Sequence, residues 1–62
     1  MKKYIVESRK DYTEIYDNYL GDYIEADSEE EAIEYYKGWF VENGCDPEEV
    51  EDMEYRVEEY WH

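Results

Sequence analysis

The segment from Asp27 to Gly44 constrains the fold more than any other part of this sequence. Ser28, followed three residues later by Glu31, forms a capping box, which is typical of the first turn of a helix. Acidic residues crowd that first turn, where the helix dipole favours negative charge, and Gly44 supplies a C-terminal stop. These signals predict a long helix over residues 29–43.

The predicted helix has one apolar face and one acidic face. Apolar side chains recur at the three- and four-residue spacing that places them on one stripe of a helix. The stripe comprises Ala32, Ile33, Tyr36, Trp39 and Phe40, and the opposite face carries Glu30, Glu31 and Glu34. Gly38 lies in the middle of the helix, where glycine costs about 1 kcal/mol relative to alanine. This cost indicates that either packing or a partner requires a position without a side chain.

The N-terminal residues predict a strand. Over residues 2–8 the chain is rich in residues that favour strands, and its side chains alternate between two faces. Tyr4 and Val6 share one face, whereas Ile5 takes the other. We therefore interpret residues 2–8 as an N-terminal strand.

The C-terminal part of the chain predicts a short helical turn and a second strand. Asp46 followed by Pro47 is typical of a helix N-cap and the first helical residue. Residues 53–61 then alternate between apolar and polar side chains, which predicts a half-buried strand interrupted on its inner face by Glu59. The inward side chains of this strand are Met53, Tyr55, Val57 and Trp61.

The segment of residues 11–26 fits two interpretations. Its apolar residues have helical spacing, but their tyrosine, isoleucine and threonine content favours strands. In the strand interpretation, which we prefer, residues 12–16 and 22–26 pair across a five-residue loop that ends at Gly21. In both interpretations residues 23–26 form a strand that leads into the long helix. The predicted fold is α+β: a small antiparallel β-sheet of three or four strands, covered on one face by one long α-helix.

Residues 1–62 are expected to form a single small acidic domain. The low hydropathy and the net charge of −14 are typical of disorder, but 19% of the residues are aromatic. Large rings supply the burial energy that disordered acidic tails lack, so we predict an ordered domain with a thin core. A signal peptide and an apolar run of membrane-spanning length are not seen, which predicts a cytoplasmic protein that does not associate with membranes.

The sequence contains no recognisable catalytic or metal site, so we expect no enzymatic activity and no cofactor. Cys45 is the one cysteine and is expected to pack against or cap the turn after Gly44. The one histidine, His62, has no positioned nucleophile near it in the sequence. A calcium loop with Gly21 at its sixth position would have Tyr16 where the first aspartate ligand belongs.

The acidity of the surface is the remaining functional signal. Twenty acidic residues stand against six lysines and arginines, and a folded chain of this size offers roughly 215 Å² of surface per carboxylate. Duplex DNA presents one phosphate per roughly 110 Å². If most carboxylates lie on half of the surface, the two densities match, which predicts a mimic of DNA rather than a merely solubilising face. The residues predicted to replace phosphates are Glu30, Glu31, Glu34, Glu48, Glu49, Glu51 and Asp52.

Two stretches of the chain resemble small phage and mobile-element proteins. Residues 1–7, MKKYIVE, and residues 23–34, YIEADSEEEAIE, look like the opening and the central segment of DpnD/PcfM-like proteins. Residues 9–22 depart from that pattern. In size and acidity the chain is also similar to anti-CRISPR proteins, and this likeness implies DNA mimicry against a Cas effector. The resemblance assigns no functional residue.

The sequence as a whole predicts an acidic DNA-mimic inhibitor that is not an enzyme. Its partner would be a basic nucleic-acid-binding protein, foremost a Cas effector blocked at its DNA or PAM groove in a bacterial host cell. The chain itself would bind no nucleic acid and would be a monomer or weak homodimer. The alternative is a structural or regulatory protein–protein interaction module that uses a tyrosine-rich face, or self-associates through the edge strand of residues 53–61. The tyrosines not needed for the predicted core are Tyr19, Tyr35 and Tyr60.

Overall fold

The computed structural model describes residues 1–60. Within that range the fold is α+β, as predicted, with an antiparallel sheet of three strands in the order β2-β1-β3. In chain order the elements are β1 (Lys2–Arg9), β2 (Ile24–Ala26), α1 (Glu29–Glu42), α2 (Pro47–Asp52) and β3 (Glu54–Glu59). Trp61, predicted on the inner face of the last strand, lies outside the described residues.

The central strand β1 pairs with both neighbours and sets the two faces of the sheet. Its residues Tyr4, Val6 and Ser8 are buried beneath the helices, so Tyr4 and Val6 share one face, as predicted. Val6 lies opposite Val57 of β3, and Tyr4 lies opposite Ile24 of β2. The alternating pattern therefore predicted the faces of the strand correctly, because side chains on a strand alternate strictly between them.

Helix α1 begins with the predicted cap. The Ser28 hydroxyl oxygen accepts a hydrogen bond from the backbone N–H of Glu31 at 3.2 Å, and the Glu31 carboxylate accepts one from the N–H of Asp27 at 2.9 Å. The helix ends at Glu42, one residue before the predicted end. Gly44 follows with a positive φ of 97°, a backbone conformation that glycine adopts without steric cost.

The core is the contact surface between α1 and the sheet. Ala32, Tyr36 and Phe40 of α1 are buried, whereas Ile33 and Trp39 pack at its margin. The Tyr36 ring meets the Phe40 ring edge to face, with centroids 5.0 Å apart. The predicted stripe is thus confirmed, with its centre on Tyr36. The other buried apolar residues are Tyr4, Val6, Ile24, Ala26 and Val50.

The preferred strand interpretation of residues 12–16 is wrong, and so is the helical alternative. Residues 10–23 form turns and irregular structure, and β2 pairs with β1 instead of with a strand at 12–16. The backbone of Asp17 exchanges two hydrogen bonds with Ser8, at 2.9 and 3.0 Å. Tyr12 and Ile15 are about four-fifths exposed (80% and 85%). Long-range pairing with β1 therefore overrides the local strand propensity of this segment.

The Tyr36 hydroxyl connects this irregular segment to the core through hydrogen bonds. It lies 3.0 Å from the Ser8 hydroxyl oxygen, accepts a hydrogen bond from the N–H of Tyr19 at 3.1 Å and donates one to the carbonyl of Asp17 at 3.4 Å. Burial raises the pKa of the Tyr36 hydroxyl above its usual value. One buried polar group therefore connects β1, α1 and the segment that the sequence left ambiguous.

Candidate functional site

Charge is distributed unevenly between the two sides of the fold. Residues 27–52, which we call the helical layer, contain eleven carboxylates and one basic residue, Lys37. The remaining positions contain nine carboxylates and five basic residues. The seven carboxylates predicted as the site all belong to the helical layer, and all of them are exposed.

On α1 the predicted acidic face is present. Glu30, Glu34 and Lys37 are spaced four and three residues apart, so they follow one line along the helix surface. Glu30 and Glu34 form no ion pair within residues 1–60. Glu31 also points to solvent, but its carboxylate accepts the hydrogen bond from the N–H of Asp27 and so has a capping role as well. Glu30 and Glu34 are therefore the carboxylates of this face that remain available to a partner.

Lys37 connects the acidic face of α1 to α2. Its ammonium nitrogen lies 3.4 Å from a carboxylate oxygen of Glu51 and 5.3 Å from the centre of the Tyr55 ring. The Tyr55 hydroxyl donates a hydrogen bond to the carbonyl of Val50, which ties β3 to α2. Burial, together with the nearby charge of Glu51, raises the pKa of Tyr55 to about 12. Of the seven predicted residues, Glu51 is the one that forms an ion pair within residues 1–60.

The carboxylates of α2 point in more than one direction around a single anchor. Asp46 caps the helix, since its side chain accepts a hydrogen bond from the N–H of Glu48 at 2.9 Å, and this confirms the predicted N-cap. Val50 is only 2% exposed and holds α2 against the core. Glu51 faces α1, whereas Glu49 and Asp52 line a groove on the other side. The α2 cluster is therefore divided between the contact with α1 and the lining of this groove.

This groove, which we call the α2 groove, separates α2 from the irregular segment of residues 10–23 and has a volume of about 550 Å³. Tyr19, Phe40, Val50 and Met53 form its apolar lining. Lys10, Glu14, Glu49 and Asp52 supply its charged groups, and Cys45 also lines it. Cys45 is exposed. Its backbone N–H donates a hydrogen bond to the carbonyl of Phe40 at 3.0 Å, which stabilises the turn after α1. Sequence reasoning missed the groove because one of its walls is the wrongly assigned segment.

On the face of the sheet that turns away from the helices, here called the outer sheet face, several charged side chains form ion pairs. The alternation of the strands places three basic residues and four carboxylates on it. Arg9 is paired with Glu54 at 2.6 Å, and Arg56 with Glu7 at 2.8 Å. Both guanidinium groups also lie against the ring of Tyr16, 4.5 and 4.6 Å from its centre. The other members of this face are Lys3, Ile5, Glu25 and Glu58.

Two tyrosines extend the outer sheet face. The rings of Tyr23 and Tyr60 are stacked, with centroids 5.7 Å apart and planes inclined by 8°. The ammonium group of Lys3 lies 4.8 Å from the centre of the Tyr23 ring. Tyr60 was predicted to lie outside the core, and so were Tyr19 and Tyr35; they are 37%, 52% and 60% exposed. Basic groups on this side of the fold therefore have aromatic as well as acidic partners.

Comparison with known proteins does not identify a relative. No protein-family model, characterised protein or solved structure matches the chain. Among residues 1–60, no group of three or more His, Cys, Asp or Glu side chains is placed to hold a metal ion. Neither helix in that range has the length and hydropathy needed to cross a membrane. The charge and shape of the chain itself therefore remain as the indications of its function.

Proposed function

We propose that this chain is a non-enzymatic inhibitor that mimics DNA and occupies the basic groove of a nucleic-acid-binding protein. The observation that supports the proposal is the composition of the helical layer, with eleven carboxylates and one lysine. Solubility requires much less charge, since a net charge of magnitude about 2–8 is ordinary for a small domain. An excess of carboxylates with so few compensating cations attracts a basic groove and accelerates association with it.

The near absence of cations, more than the density of carboxylates, makes the helical layer resemble DNA. The accessible surface of 4641 Å² gives about 230 Å² for each of the twenty carboxylates. Eleven of the twenty belong to the helical layer, so clustering does not double their density to match that of duplex DNA, at roughly 110 Å² per phosphate. The formal net charge, however, is −10 over residues 27–52 and −4 over the rest. The helical layer would therefore present a negative electrostatic potential like that of a phosphate backbone, although it has fewer charges per unit area.

The most specific form of the proposal is an anti-CRISPR protein. In this form the target is a Cas effector in the cytoplasm of a bacterial host, and the helical layer occupies its DNA or PAM groove. Such a groove is lined by the lysines and arginines that hold the DNA backbone and by the arginines that read the PAM. Glu30 and Glu34 are the first residues expected to meet these cations, because they are exposed and have no ion-pair partner within residues 1–60.

Competition for a guide-loaded Cas effector tests this proposal. The chain is titrated into effector bound to labelled target duplex, and unlabelled duplex is then used to displace the chain. We expect the chain to release the duplex and the duplex to release the chain. Simultaneous binding of both with undiminished affinity would exclude mimicry. If the chain instead displaces duplex from another basic DNA-binding protein, mimicry holds and the Cas target is wrong.

Charge reversal provides the matched control. The double substitution Glu30→Lys and Glu34→Lys should weaken binding to the target roughly several hundredfold, because it places like charges against the basic groove. Glu25→Lys with Glu58→Lys makes the same change in net charge on the outer sheet face, where both side chains are exposed. That second variant should bind within about fivefold of the unmodified chain. Equal losses would show that net charge alone, and not the helical layer, directs binding.

A second candidate, a module that associates through β3, has support from the sheet. The N–H of Tyr60 bonds to the carbonyl of Lys3 at 2.7 Å. By the alternation of an antiparallel ladder, the backbone groups of Tyr55, Val57 and Glu59 then point away from β1, at a sheet edge.

A second copy could pair with this edge in a self-complementary register. With Val57 opposite Val57 of the second copy, Arg56 would lie opposite Glu58 of that copy, and this opposite-charge pair favours association. Sedimentation at 50 and 500 mM NaCl distinguishes the candidates. Self-association that persists at both concentrations supports the module, whereas a chain that stays monomeric at both excludes it.

A further inference from the structure

We infer that the α2 groove receives an arginine side chain of the target protein, an inference that rests on the proposed function and specifies one contact within it. The groove differs from the rest of the helical layer in having an apolar lining. Phe40 and Val50 are 9% and 2% exposed and belong to the core, so this lining is preformed. Tyr19 tilts over Phe40, with ring centroids 5.9 Å apart, and remains half exposed.

The charged groups of the groove determine the chemistry of its occupant. Glu14, Glu49 and Asp52 stand against the single cation Lys10. Glu14 accepts a hydrogen bond from the backbone N–H of Lys10 at 2.9 Å, whereas Glu49 and Asp52 have no side-chain partner within the described part of the chain. A side chain with an apolar stem and a cationic end complements this arrangement. The stem would lie on the apolar lining and the cationic end between the free carboxylates.

Arginine fits these requirements better than lysine. Its planar guanidinium stacks on aromatic rings and offers several N–H donors to carboxylates, whereas the lysine ammonium is a compact and strongly hydrated charge. The same chain uses this chemistry on its outer sheet face, where Arg9 and Arg56 each lie on the ring of Tyr16 and pair with a carboxylate. In the α2 groove, Tyr19 and the free carboxylates repeat the ring and the acid, and the guanidinium is the missing part.

The size of the groove indicates that the arginine enters with its neighbours. A volume of about 550 Å³ exceeds that of a single side chain and falls within the usual range for ligand pockets. Apolar residues that flank the arginine would cover Met53 and the exposed part of Tyr19. The expected occupant is therefore a short segment of the target with one arginine between apolar residues.

A blocked tripeptide tests the inference without the target protein. Acetyl-Leu-Arg-Leu-amide is titrated into the intact chain, and binding is followed by backbone amide shifts and by the alkylation rate of the Cys45 thiol, which lines the groove. We expect shifts at Tyr19, Val50 and Met53 and slower alkylation of Cys45. The citrulline analogue, which has the same shape without the charge, should bind at least tenfold more weakly. Shifts centred on the exposed face of α1 instead would overturn the inference.

Two variants with equal charge changes separate groove recognition from general attraction. Glu49→Gln with Asp52→Asn should weaken the tripeptide at least fivefold, whereas Glu30→Gln with Glu34→Gln should change its affinity less than twofold. Equal weakening by the two pairs would contradict an arginine site in the groove. If that happens while the chain still displaces DNA from its target, the groove is wrong and DNA mimicry stands. If the chain binds the tripeptide but does not compete with DNA for the target, the arginine site in the groove stands and DNA mimicry is wrong.

Discussion

The helical layer and the outer sheet face carry charge in opposite ways. On the outer sheet face, Arg9 and Arg56 are each fixed by a carboxylate and by the ring of Tyr16. The helical layer contains eleven carboxylates and one lysine, and that lysine forms an ion pair with Glu51. Charge is thus neutralised within the fold on one side and left to solvent on the other. The comparison shows that, among the described residues, the uncompensated negative charge is concentrated in the helical layer.

Weakening the packing between the helical layer and the sheet should have the largest effect on stability. Phe40→Ala removes a ring that is only 9% exposed, and we expect a loss of about 3–5 kcal/mol, enough to unfold a small domain. Ile5→Ala on the outer sheet face is the matched truncation and should cost less than about 1.5 kcal/mol, because Ile5 is only partly buried. Circular dichroism during urea unfolding measures both losses. Similar losses in the two variants would show that the core does not lie beneath the helical layer.

Removal of the Tyr36 hydroxyl should have the next largest effect. Tyr36→Phe leaves the Ser8 hydroxyl and the N–H of Tyr19 without their partner, at a cost of about 1–3 kcal/mol. Tyr35→Phe is the control on the exposed face of the same helix and should change stability by less than about 0.5 kcal/mol. Hydrogen exchange at the N–H of Tyr19 should accelerate only in the first variant. Unchanged exchange there would disprove the role of Tyr36 in holding residues 10–23.

Alkaline pH tests the packing between β3 and the helical layer. The pKa of Tyr55 is raised to about 12, mainly by burial, so above pH 10 the unfolded chain loses this proton before the native state does. The native state then binds more protons, and stability should fall as the pH rises from about 10 towards 12. Tyr55→Phe should flatten this fall, measured as the urea midpoint at pH 9 and 11.5, whereas Tyr12→Phe at an exposed site should not. A fall of equal steepness in the Tyr55 variant would contradict the assigned burial.

The smallest expected effect is at Gly38. Apart from its chain neighbours and the nearby backbone of α1 itself, no atom lies within 4 Å of the position that a Cβ would take, so packing does not require glycine there. Gly38→Ala should stabilise α1 by about 0.5–1 kcal/mol, measured by thermal unfolding. Weaker binding to the target despite this gain would show that the partner approaches the helix backbone at Gly38. A loss of stability would show that the space beside Gly38 is occupied by another part of the chain.

The parts of the fold that sequence could predict depend on local rules. The Ser28–Glu31 cap, the buried stripe of α1 and the Asp46 cap of α2 follow from spacings of a few residues, and the structure confirms them. Residues 12–16 were wrongly assigned to a strand because Ser8 and Tyr36, distant in sequence, determine the course of the segment that contains them. No local pattern encodes such contacts.

The candidate site was predictable to the same extent. Exposure of the seven carboxylates followed from the helical spacing of α1 and from the N-cap of α2. The division of the α2 cluster into Glu51 on one side and Glu49 with Asp52 on the other could not be predicted, because it depends on how α2 docks against α1. The pairing of Arg9 and Arg56 around Tyr16 likewise requires the register of β1 with β3 and the path of the irregular segment.

The salt dependence of target binding tests the role of the helical layer most directly. A DNA mimic should lose affinity steeply between 50 and 200 mM salt, as DNA itself does. Glu30→Gln with Glu34→Gln should make the slope of log K against log salt shallower by about two, whereas Glu25→Gln with Glu58→Gln on the outer sheet face should leave it unchanged. Equal slopes for both variants, or binding that is insensitive to salt, would contradict the proposal that the helical layer replaces the phosphates of DNA.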